Sequence, residues 1–473
     1  MTHIHRFGLF FMVLCLGVCY ASYSPGKLLV VLVDGVRWDY MNDSNLAGFQ
    51  MIAKNGMKAN YVTPIFPTNS YPNWYTIVTG LYAENHGIVQ NYMYDKEKDD
   101  IFLMALHSNA SHAHWWNYAE PLWITAEKNG IKTAMYWWDG CQVVIRGKKP
   151  SFCREYENYW IWGKVNKDTK DALFKILDMF QNQDYGLGLV YYEAVDANGH
   201  FRGPNSKERK KALKDIDSIL LSLQEEINRR NLENEVNLMI VSDHGMMPVN
   251  QDIKIIRIES AIKLDDIHLM LDHGPMSMIL PKEGKEDKVY NDLKKGNFKG
   301  LKVYKKEEMP EIYHYKHRLV FPIVLVAEKG YLIQSLSERM KMKPFSDRIY
   351  KGYHGYDPYL YEEMRTILYA RGPAFKKGYI SPPLQMTDHY NVMCKALGIE
   401  ALPNNGSLSR IEDMLIPEAL NSKRQIKNKT NKKGKNRFNK KRKKTITRFW
   451  GGSSSVQYCN WILLFSVILT VLL

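Results

Sequence analysis

The chain has 473 residues, of which 45% are hydrophobic, so it can bury one large core or two modest ones. This composition excludes a chain that is disordered throughout. The formal net charge is +15, but fourteen lysines and arginines lie between Lys423 and Arg448 with no acidic residue, which leaves 15 − 14, about +1, for everything else. The charge therefore indicates no specific nucleic-acid partner for the body of the protein.

The N-terminus begins with a basic segment, continues with an apolar run from Phe7 to Val18, and ends in Cys19-Tyr20-Ala21. Small residues at the first and third of these last positions are typical of a cleavage site. We therefore predict a secretory signal peptide over residues 1–21. A short N-terminal membrane anchor is the alternative, although the apolar run is short for a membrane span.

Secretion permits disulfide bonds, and four cysteines remain after the signal peptide. Cys141 and Cys153 flank a Gly-Lys-Lys-Pro turn and could staple a hairpin. Cys394 and Cys459 have no obvious partner, and Cys394 could be buried or could bridge two chains. Glycosylation of an exterior protein is consistent with four Asn-X-Ser/Thr triplets, which begin at Asn42, Asn109, Asn405 and Asn428.

Residues 22–420 are predicted to form the catalytic domain, because aliphatic runs there alternate with amphipathic stretches. Strands are predicted at Lys27–Val33, Gly186–Tyr192 and Val236–Val241, and a helix at Ser206–Arg230. Shorter strands from about residue 255 to 334 indicate an insertion. The predicted fold class is α/β, with a mostly parallel central sheet flanked by helices and a smaller inserted α+β segment.

Carboxylate and imidazole side chains follow these strands, at the edge where open α/β sheets bind ligands. Zinc accepts nitrogen and oxygen ligands, and catalytic sites leave one position open. Two zinc ions with three protein ligands each, plus a shared oxygen, would use the whole set. We predict as metal ligands Asp34, Asp196, His200, Asp243, His244 and His354.

A nucleophile for such a centre is found in Phe66–Asn73, where Ser70 precedes Tyr71 and Pro72. Proline suits the first turn of a helix, and a helix N-terminus favours the negative charge of an alkoxide. Each feature alone has an ordinary explanation, such as a turn, a helix cap or a surface pair. Their occurrence together, in this order and at strand ends, predicts a two-metal catalyst acting on phosphorus.

As a set, these motifs resemble the ectonucleotide pyrophosphatase/phosphodiesterase family of the alkaline phosphatase superfamily. The resemblance runs from about Lys27 to Arg410 and implies an alkaline-phosphatase-like fold. It is carried by Val33–Arg37, Phe66–Asn73, Thr79–Tyr82, Glu84–Gly87, Asn91–Asp95, Asp196–His200, Ser242–Met246, His354–Asp357 and Pro403–Ser407.

The resemblance implies a distribution of ligands and a two-step reaction through a covalent intermediate. It places one zinc on Asp196, His200 and His354, and the other on Asp34, Asp243 and His244 with the nucleophile's oxygen. The nucleophile is then Ser70 and not Thr68. Most relatives have threonine at that position, and a serine hydroxyl can perform the same attack. Asn91 matches the amide that holds phosphate oxygens in the family.

The substrate is the open question at this point. Tyr71 matches the position on which relatives stack a nucleobase, and Tyr191 matches another pocket aromatic, which favours nucleotides such as NAD, ATP and ADP. The alternative is a choline phosphodiester, glycerophosphocholine or lysophosphatidylcholine, because aromatic and acidic side chains can cage a quaternary ammonium. The candidates for such a cage are Trp137, Trp138, Glu155, Tyr156 and Glu193. A third hypothesis, an inactive cell-surface binding protein, is disfavoured because all six ligand residues are present.

The C-terminus is predicted to tether the enzyme to the extracellular face of the plasma membrane. Residues 421–450 form a basic disordered stalk, which could be a solvated spacer or could contact anionic lipid or glycosaminoglycan. Residues 451–473 have small residues, a polar spacer and a short apolar tail, which favours a GPI-attachment signal. A C-terminal membrane-spanning helix is the alternative.

Overall fold

The computed structural model describes residues 26–43, 45–104, 106–334 and 349–421. The predicted signal peptide, most of the basic stalk and the C-terminal anchor lie outside these ranges. Within them, no helix combines the length and the apolar character that crossing a membrane requires.

The strands of the described residues are mostly short and lie between helices. In chain order they are β1 (Lys27–Val33), β2 (Gly56–Ala59), β3 (Val62–Thr63), β4 (Met93–Asp95), β5 (Asp100–Phe102), β6 (Lys132–Tyr136), β7 (Phe152–Arg154), β8 (Tyr185–Tyr192), β9 (Val236–Val241), β10 (Met247–Pro248), β11 (Lys254–Ile256), β12 (Ile267–Leu271), β13 (Met276–Pro281), β14 (Leu301–Lys305), β15 (Ile323–Ala327), β16 (Tyr331–Ile333), β17 (Gly352–Tyr353), β18 (Leu368–Arg371), β19 (Tyr379–Ser381) and β20 (Leu384–Gln385).

The helices cover the strands and range from single turns to more than twenty residues. They are α1 (Ala47–Asn55), α2 (Ser70–Thr79), α3 (Ala83–His86), α4 (Ala113–Trp116), α5 (Leu122–Lys128), α6 (Trp162–Asn182), α7 (Ala194–Arg202), α8 (Lys207–Arg229), α9 (Glu286–Lys295), α10 (Asp388–Leu397), α11 (Leu408–Ile411) and α12 (Pro417–Asn421).

An eight-stranded mixed sheet forms the centre of the fold, in the order β19-β2-β18-β9-β1-β8-β6-β7. Strand β1 lies between β8 and β9 and runs parallel to both, with Leu28 opposite Leu187 and Asn237. Strand β18 is antiparallel to both of its neighbours, β9 and β2. Residues 28–33 of β1 have no exposed surface, which explains why its sequence is continuously aliphatic. The predicted α/β class is confirmed.

Helix α8 packs against α1, α6 and α7 on one face of this sheet. Its N-cap is Ser206, whose side chain accepts a hydrogen bond from the backbone N–H of Arg209. The apolar positions that predicted this helix from its sequence are buried: Ala212, Leu213, Ile216, Ile219, Leu220 and Leu223.

The inserted α+β segment is a second, antiparallel sheet in the order β12-β13-β15-β14, with α9 packed on it. It has an apolar core of its own, which includes Ile279, Val289 and Ile323. Strands β11 and β16 pair in parallel at its margins. This pairing brings the two ends of the insertion together next to the main body.

Cys141 and Cys153 form a disulfide with a Cα–Cα distance of 5.6 Å. The pairing was predicted, but the hairpin was wrong: β7, which contains Cys153, runs parallel to β6, and the antiparallel contact is a single bridge between Ile145 and Lys148. The disulfide thus lies in the crossover between β6 and the parallel edge strand β7. Cys394 is a buried free thiol on α10, and Cys459 lies outside the described residues.

Candidate active site

Parallel strands end at the same edge of the sheet, and this brings the predicted ligands together. Asp34 directly follows β1, and its backbone N–H donates to the carbonyl oxygen of Tyr192 at the end of β8, at 2.9 Å. Asp196 lies in the first turn of α7, immediately after β8, and Asp243 lies two residues after β9. His354 directly follows β17. Because β17 pairs with β10, which lies just after Asp243 and His244, a distant part of the chain brings His354 to the same place.

One group of potential ligands consists of Asp34, Asp243 and His244. His244 Nε2 lies 3.5 Å from Asp34 Oδ1 and 3.3 Å from Asp243 Oδ2. Asp243 and His244 have no exposed surface and Asp34 is 2% exposed. Three potential ligand atoms therefore face one another in the interior, and Asp34 also lines the main cavity.

The second group consists of Asp196, His200 and His354. Asp196 Oδ2 lies 3.5 Å from His200 Nε2, and its Oδ1 lies 4.0 Å from His354 Nε2. Asp196 and His200 are one turn apart on α7, so the helix itself pairs them. The two groups adjoin, because the rings of His244 and His354 stack with their centroids 3.6 Å apart.

The three histidines of the site share one hydrogen-bonding pattern. His200 Nδ1 donates to the carbonyl oxygen of Gly352 at 2.8 Å, His244 Nδ1 to that of Gly245 at 2.9 Å, and His354 Nδ1 to that of Thr68 at 2.8 Å. A carbonyl can only accept, so each Nδ1 carries the proton and each Nε2 has a free electron pair directed at the carboxylates. This is the tautomer that a metal ligand requires.

The electrostatics of the site favour cations between these groups. Burial, and then Asp243 and Asp196, hold the pKa of Asp34 well above its usual range. Burial, and then His244 and His200, hold the pKa of His354 well below its usual range. Asp34 Oδ1 and Asp196 Oδ1 are buried without a hydrogen-bond partner among the described residues. Ligands at about 2.1 Å around a tetrahedral ion are about 3.4 Å apart, which matches these separations and makes the site fit two such ions.

Ser70 is the first residue of α2, and its Oγ lies 3.2 Å from His244 Nε2. Its hydroxyl therefore adjoins the Asp34 group at a helix N-terminus. The neighbouring hydroxyl of Thr68 donates to the Tyr356 carbonyl oxygen and accepts from the Gly355 N–H, each at 2.8 Å. Thr68 thus has a structural role, which supports the choice of Ser70 as the nucleophile.

Asn91 is positioned as an amide donor. Its Oδ1 accepts a hydrogen bond from the backbone N–H of Tyr71 at 3.0 Å, and its backbone N–H donates to Gln90 Oε1 at 2.8 Å. Because Oδ1 is occupied at the start of α2, the Nδ2 group is available to the cavity beside Ser70. Such a group can donate to a phosphate oxygen.

A cavity of about 610 Å³ opens above both groups of ligands. Its lining includes Trp137, Trp160 and the four aromatic and acidic side chains that were predicted to bind substrate, which are Tyr71, Tyr156, Tyr191 and Glu193. Two candidates for the ammonium cage were wrong: Trp138 is buried beneath the surface at 1% exposure, and Glu155 is exposed away from the lining. Trp160 was not predicted.

Hydrogen bonds fix the polar tips of these aromatic side chains. The Tyr191 hydroxyl donates to Asp34 Oδ2 and the Tyr71 hydroxyl to Asp139 Oδ2, both at 2.7 Å. Glu193 Oε2 accepts from the Tyr156 hydroxyl and from Trp160 Nε1. Tyr191 therefore orients a potential metal ligand as well as lining the cavity.

Sequence reasoning missed the side chains that hold the ligands in place. Trp74 Nε1 donates to Asp243 Oδ2 at 2.7 Å, and Asn69 Oδ1 lies 3.1 Å from His354 Nδ1. The spacing could have indicated Trp74, because it lies one turn after Ser70 and so on the same face of α2. The contact to Asp243 spans 169 positions and has no local sequence signal.

The chain is similar in sequence to known proteins. Residues 28–357 match the family model described as type I phosphodiesterase / nucleotide pyrophosphatase. Human ectonucleotide pyrophosphatase/phosphodiesterase family member 5 is 37% identical over 391 residues, which cover 82% of this chain and 78% of that protein. Human bis(5'-adenosyl)-triphosphatase is 34% identical over 403 residues, 84% of each chain.

The fold is also similar to solved structures. One is murine ectonucleotide pyrophosphatase/phosphodiesterase 5 in an inactive threonine-to-alanine variant, in complex with AMP. It matches with a TM-score of 0.74 and 38% identity, covering 83% of this chain and 100% of that one. The identity is high enough for the similarity to extend beyond the fold.

Proposed function

Because this chain belongs to the type I phosphodiesterase/nucleotide pyrophosphatase family, we propose that it hydrolyses nucleotides and dinucleotides, such as NAD, ATP and ADP, to nucleoside monophosphates. The reaction proceeds through a covalent intermediate on Ser70. One observation carries the proposal: two groups of three carboxylate and imidazole side chains converge beside the hydroxyl of Ser70, the first residue of α2, at the floor of a large cavity.

Two zinc ions, held by Asp34, Asp243 and His244 and by Asp196, His200 and His354, would stabilise negative charge on the attacking, equatorial and leaving oxygens. The donor set of oxygen and nitrogen atoms is one that zinc prefers. The remaining contributions come from this chain's own side chains.

In the first step, the Ser70 hydroxyl loses its proton to solvent and its oxygen attacks phosphorus. The Ser70 Oγ–P bond forms while the bond from phosphorus to the leaving oxygen breaks, and the leaving group takes the electron pair. The N-terminus of α2 favours the negative charge on Ser70, because its first backbone N–H groups point toward this end. The amide of Asn91 donates to an equatorial phosphate oxygen.

In the second step, water attacks phosphorus from the side that the leaving group has vacated. The Ser70 Oγ–P bond breaks, the serine hydroxyl recovers a proton, and a phosphomonoester is released. Trp74 and Tyr191 contribute by holding Asp243 and Asp34 in one orientation throughout both steps.

Nucleotide substrates are supported by the cavity and by two relatives. Aromatic faces of Tyr71, Tyr156 and Tyr191 line the cavity, and a nucleobase can stack on such faces. One similar structure contains AMP, and one relative is named for hydrolysis of a diadenosine compound. The nucleoside would lie among these rings while its phosphate faces Ser70.

A choline phosphodiester is the second candidate, and one observation favours it. The Glu193 carboxylate lies in the same cavity among Tyr156, Trp160 and Tyr191. Burial raises the pKa of Glu193, and no basic residue is among the hydrogen-bond partners of its carboxylate in the described ranges. A quaternary ammonium would supply the missing positive charge and would contact the ring faces.

Ser70→Ala tests the proposal directly. We expect the variant to lose activity on p-nitrophenyl thymidine monophosphate while keeping the thermal unfolding midpoint of the parent, since Ser70 contributes a hydroxyl and little packing. Thr68→Ser is the matched control and should keep activity, because it retains the hydroxyl that binds Tyr356 and Gly355. EDTA should also abolish activity in the parent. Undiminished hydrolysis by Ser70→Ala would refute the covalent mechanism.

We also propose that the enzyme acts at the extracellular face of the plasma membrane, after removal of a signal peptide over residues 1–21. The support is in the sequence: an N-terminal apolar run and a C-terminal tail typical of GPI attachment. The disulfide between Cys141 and Cys153 fits an oxidising compartment. Phospholipase release of activity from intact cells tests the GPI anchor.

A further inference from the structure

A third group of side chains that could hold a metal ion lies outside the active site. Asp100, His112 and His114 each offer one ligand atom, and these atoms lie within 4.8 Å of one another. Asp100 is the first residue of β5, His112 immediately precedes α4, and His114 is the second residue of α4. The sequence His-Ala-His was not part of the family motifs that identified the active site. We refer to these three residues as the Asp100 group.

The carboxylate of Asp100 is oriented by its neighbours. Its Oδ1 accepts the backbone N–H of Ile101 at 2.9 Å and the side-chain amide of Asn109 at 3.3 Å. Its Oδ2 is thereby directed at both imidazoles, 2.6 Å from His112 Nδ1 and 3.3 Å from His114 Nε2. Fixing one oxygen so that the other is presented to a ligand is how outer residues support a metal-binding carboxylate.

His114 is the observation that a simple ion pair leaves unexplained. Its Nε2 is buried and makes no hydrogen bond within the described part of the chain, although it faces Asp100 Oδ2. The ring packs against Trp115 with centroids 4.4 Å apart, which holds it in this position. An ion pair of His112 with Asp100 accounts for only one of the two histidines, and a buried polar nitrogen without a hydrogen-bond partner is unfavourable.

We propose that Asp100, His112 and His114 bind a third divalent cation, zinc or another first-row ion that accepts nitrogen and oxygen ligands. One carboxylate and two imidazoles match the preference of such ions. The 3.3 Å separation of Asp100 Oδ2 and His114 Nε2 is close to the ligand separation in a tetrahedral site. His112 Nδ1 lies 2.6 Å from Asp100 Oδ2 and moves outward by 3.3 − 2.6, about 0.7 Å, to reach the same separation, and water completes the coordination.

The ion links the site to substrate binding through the chain between its ligands. Met104, Leu106 and His107 line the main cavity and lie between Asp100 and His112 in sequence. Holding both ends of this stretch with one ion restricts how far the cavity wall can move. The third ion therefore strengthens substrate binding and leaves the chemistry at Ser70 unchanged, because none of its ligands contacts the nucleophile.

The double variant His112→Gln/His114→Gln tests this inference in the full secreted chain. Metal content per chain is measured by mass spectrometry after dialysis against chelator-buffered zinc. The variant should contain one zinc fewer than the parent. The difference counts the ion at the Asp100 group, whatever the active site holds, so failure here is distinguishable from failure of the proposed function. KM for the nucleotide ester should rise severalfold while kcat stays the same.

His268→Gln is the matched control, because His268 is an exposed histidine on β12. It should retain the metal content and KM of the parent. Cobalt provides a second measurement: the parent-minus-variant spectrum should show visible bands of four-coordinate Co²⁺. Equal zinc content in parent and double variant would overturn the site, and an unchanged KM despite the lost ion would overturn its link to the cavity wall.

Discussion

Glu193 is the single side chain whose charge should distinguish the two candidate substrate classes. It lies at the cavity wall, and its carboxylate is held by Tyr156 and Trp160. A nucleobase stacks on ring faces and does not need a negative charge there. A quaternary ammonium has no N–H to donate, so it depends on charge and on the rings together.

Glu193→Gln should therefore raise KM for glycerophosphocholine by about tenfold and change KM for NAD by less than about twofold. Glutamine keeps an oxygen that can accept the hydrogen bonds from Tyr156 and Trp160, so the packing of the rings is preserved. Steady-state kinetics on both substrates measure the effect, with exposed Glu155→Gln as the control. An equal loss on both substrates would show that Glu193 positions α7 instead of recognising a cation.

Much of the active site could be predicted at the residue scale, but its supporting contacts could not. Asp34, Asp196, Asp243 and His354 each follow a strand or lie in a distinctive motif, so a sequence reader can find them. The histidine tautomers depend on carbonyls such as those of Gly352 and Thr68, which come from distant parts of the chain. Such contacts exist only after the strands have assembled.

At the scale of elements, buried parallel strands were the most predictable features. The observed β1 and β9 have the predicted bounds, because their residues are buried and apolar except for Lys27 at the start of β1 and the buried Asn237 of β9. The four-residue strands β2 and β18 were not predicted, since a pattern so short fits several structures. The crossover closed by the disulfide was mistaken for a hairpin because turn residues do not reveal strand direction.

The turn after β1 makes a prediction at this scale. Gly35 has φ +70°, and a Cβ there would lie 2.8 Å from Cα of Asp196 and 2.7 Å from its Cβ. The close approach lets β1 and α7 bring their carboxylates together. Since the obstructing atoms include backbone, Gly35→Ala must displace α7 or the turn. We expect the resulting displacement of Asp196 to lower kcat/KM by about a hundredfold.

The variant Gly130→Ala separates the effect of the steric collision at Gly35 from the effect of backbone strain. Gly130 has a similar φ of +75°, but a Cβ there would meet nothing within 4 Å. Both variants carry the strain of a left-handed alanine, roughly 1 kcal/mol, so thermal melts should show similar shifts from that source. Steady-state kinetics should show the large loss in Gly35→Ala alone. Equal activities would mean that the Gly35 turn can relax without moving Asp196.

At the scale of the whole molecule, the net charge of +15 belongs almost entirely to the C-terminal basic run. The described body ends with α12, where Ala419 is fully buried and the Leu420 carbonyl accepts from Lys395 Nζ at 2.8 Å. The last helix therefore completes the packing of the body before the basic run begins. This arrangement predicts that catalysis and surface charge can be separated.

A secreted chain of residues 22–421 should keep the kcat/KM of a chain of residues 22–450 but elute from heparin at much lower salt. The longer chain carries fourteen additional Lys and Arg residues and the shorter one is nearly neutral. Attraction between exposed charges is screened by salt, so the difference should vanish at high ionic strength. A 22–450 chain with those fourteen residues changed to glutamine controls for length and should elute with the shorter chain. Loss of activity in the shorter chain would place part of the basic run in the catalytic body.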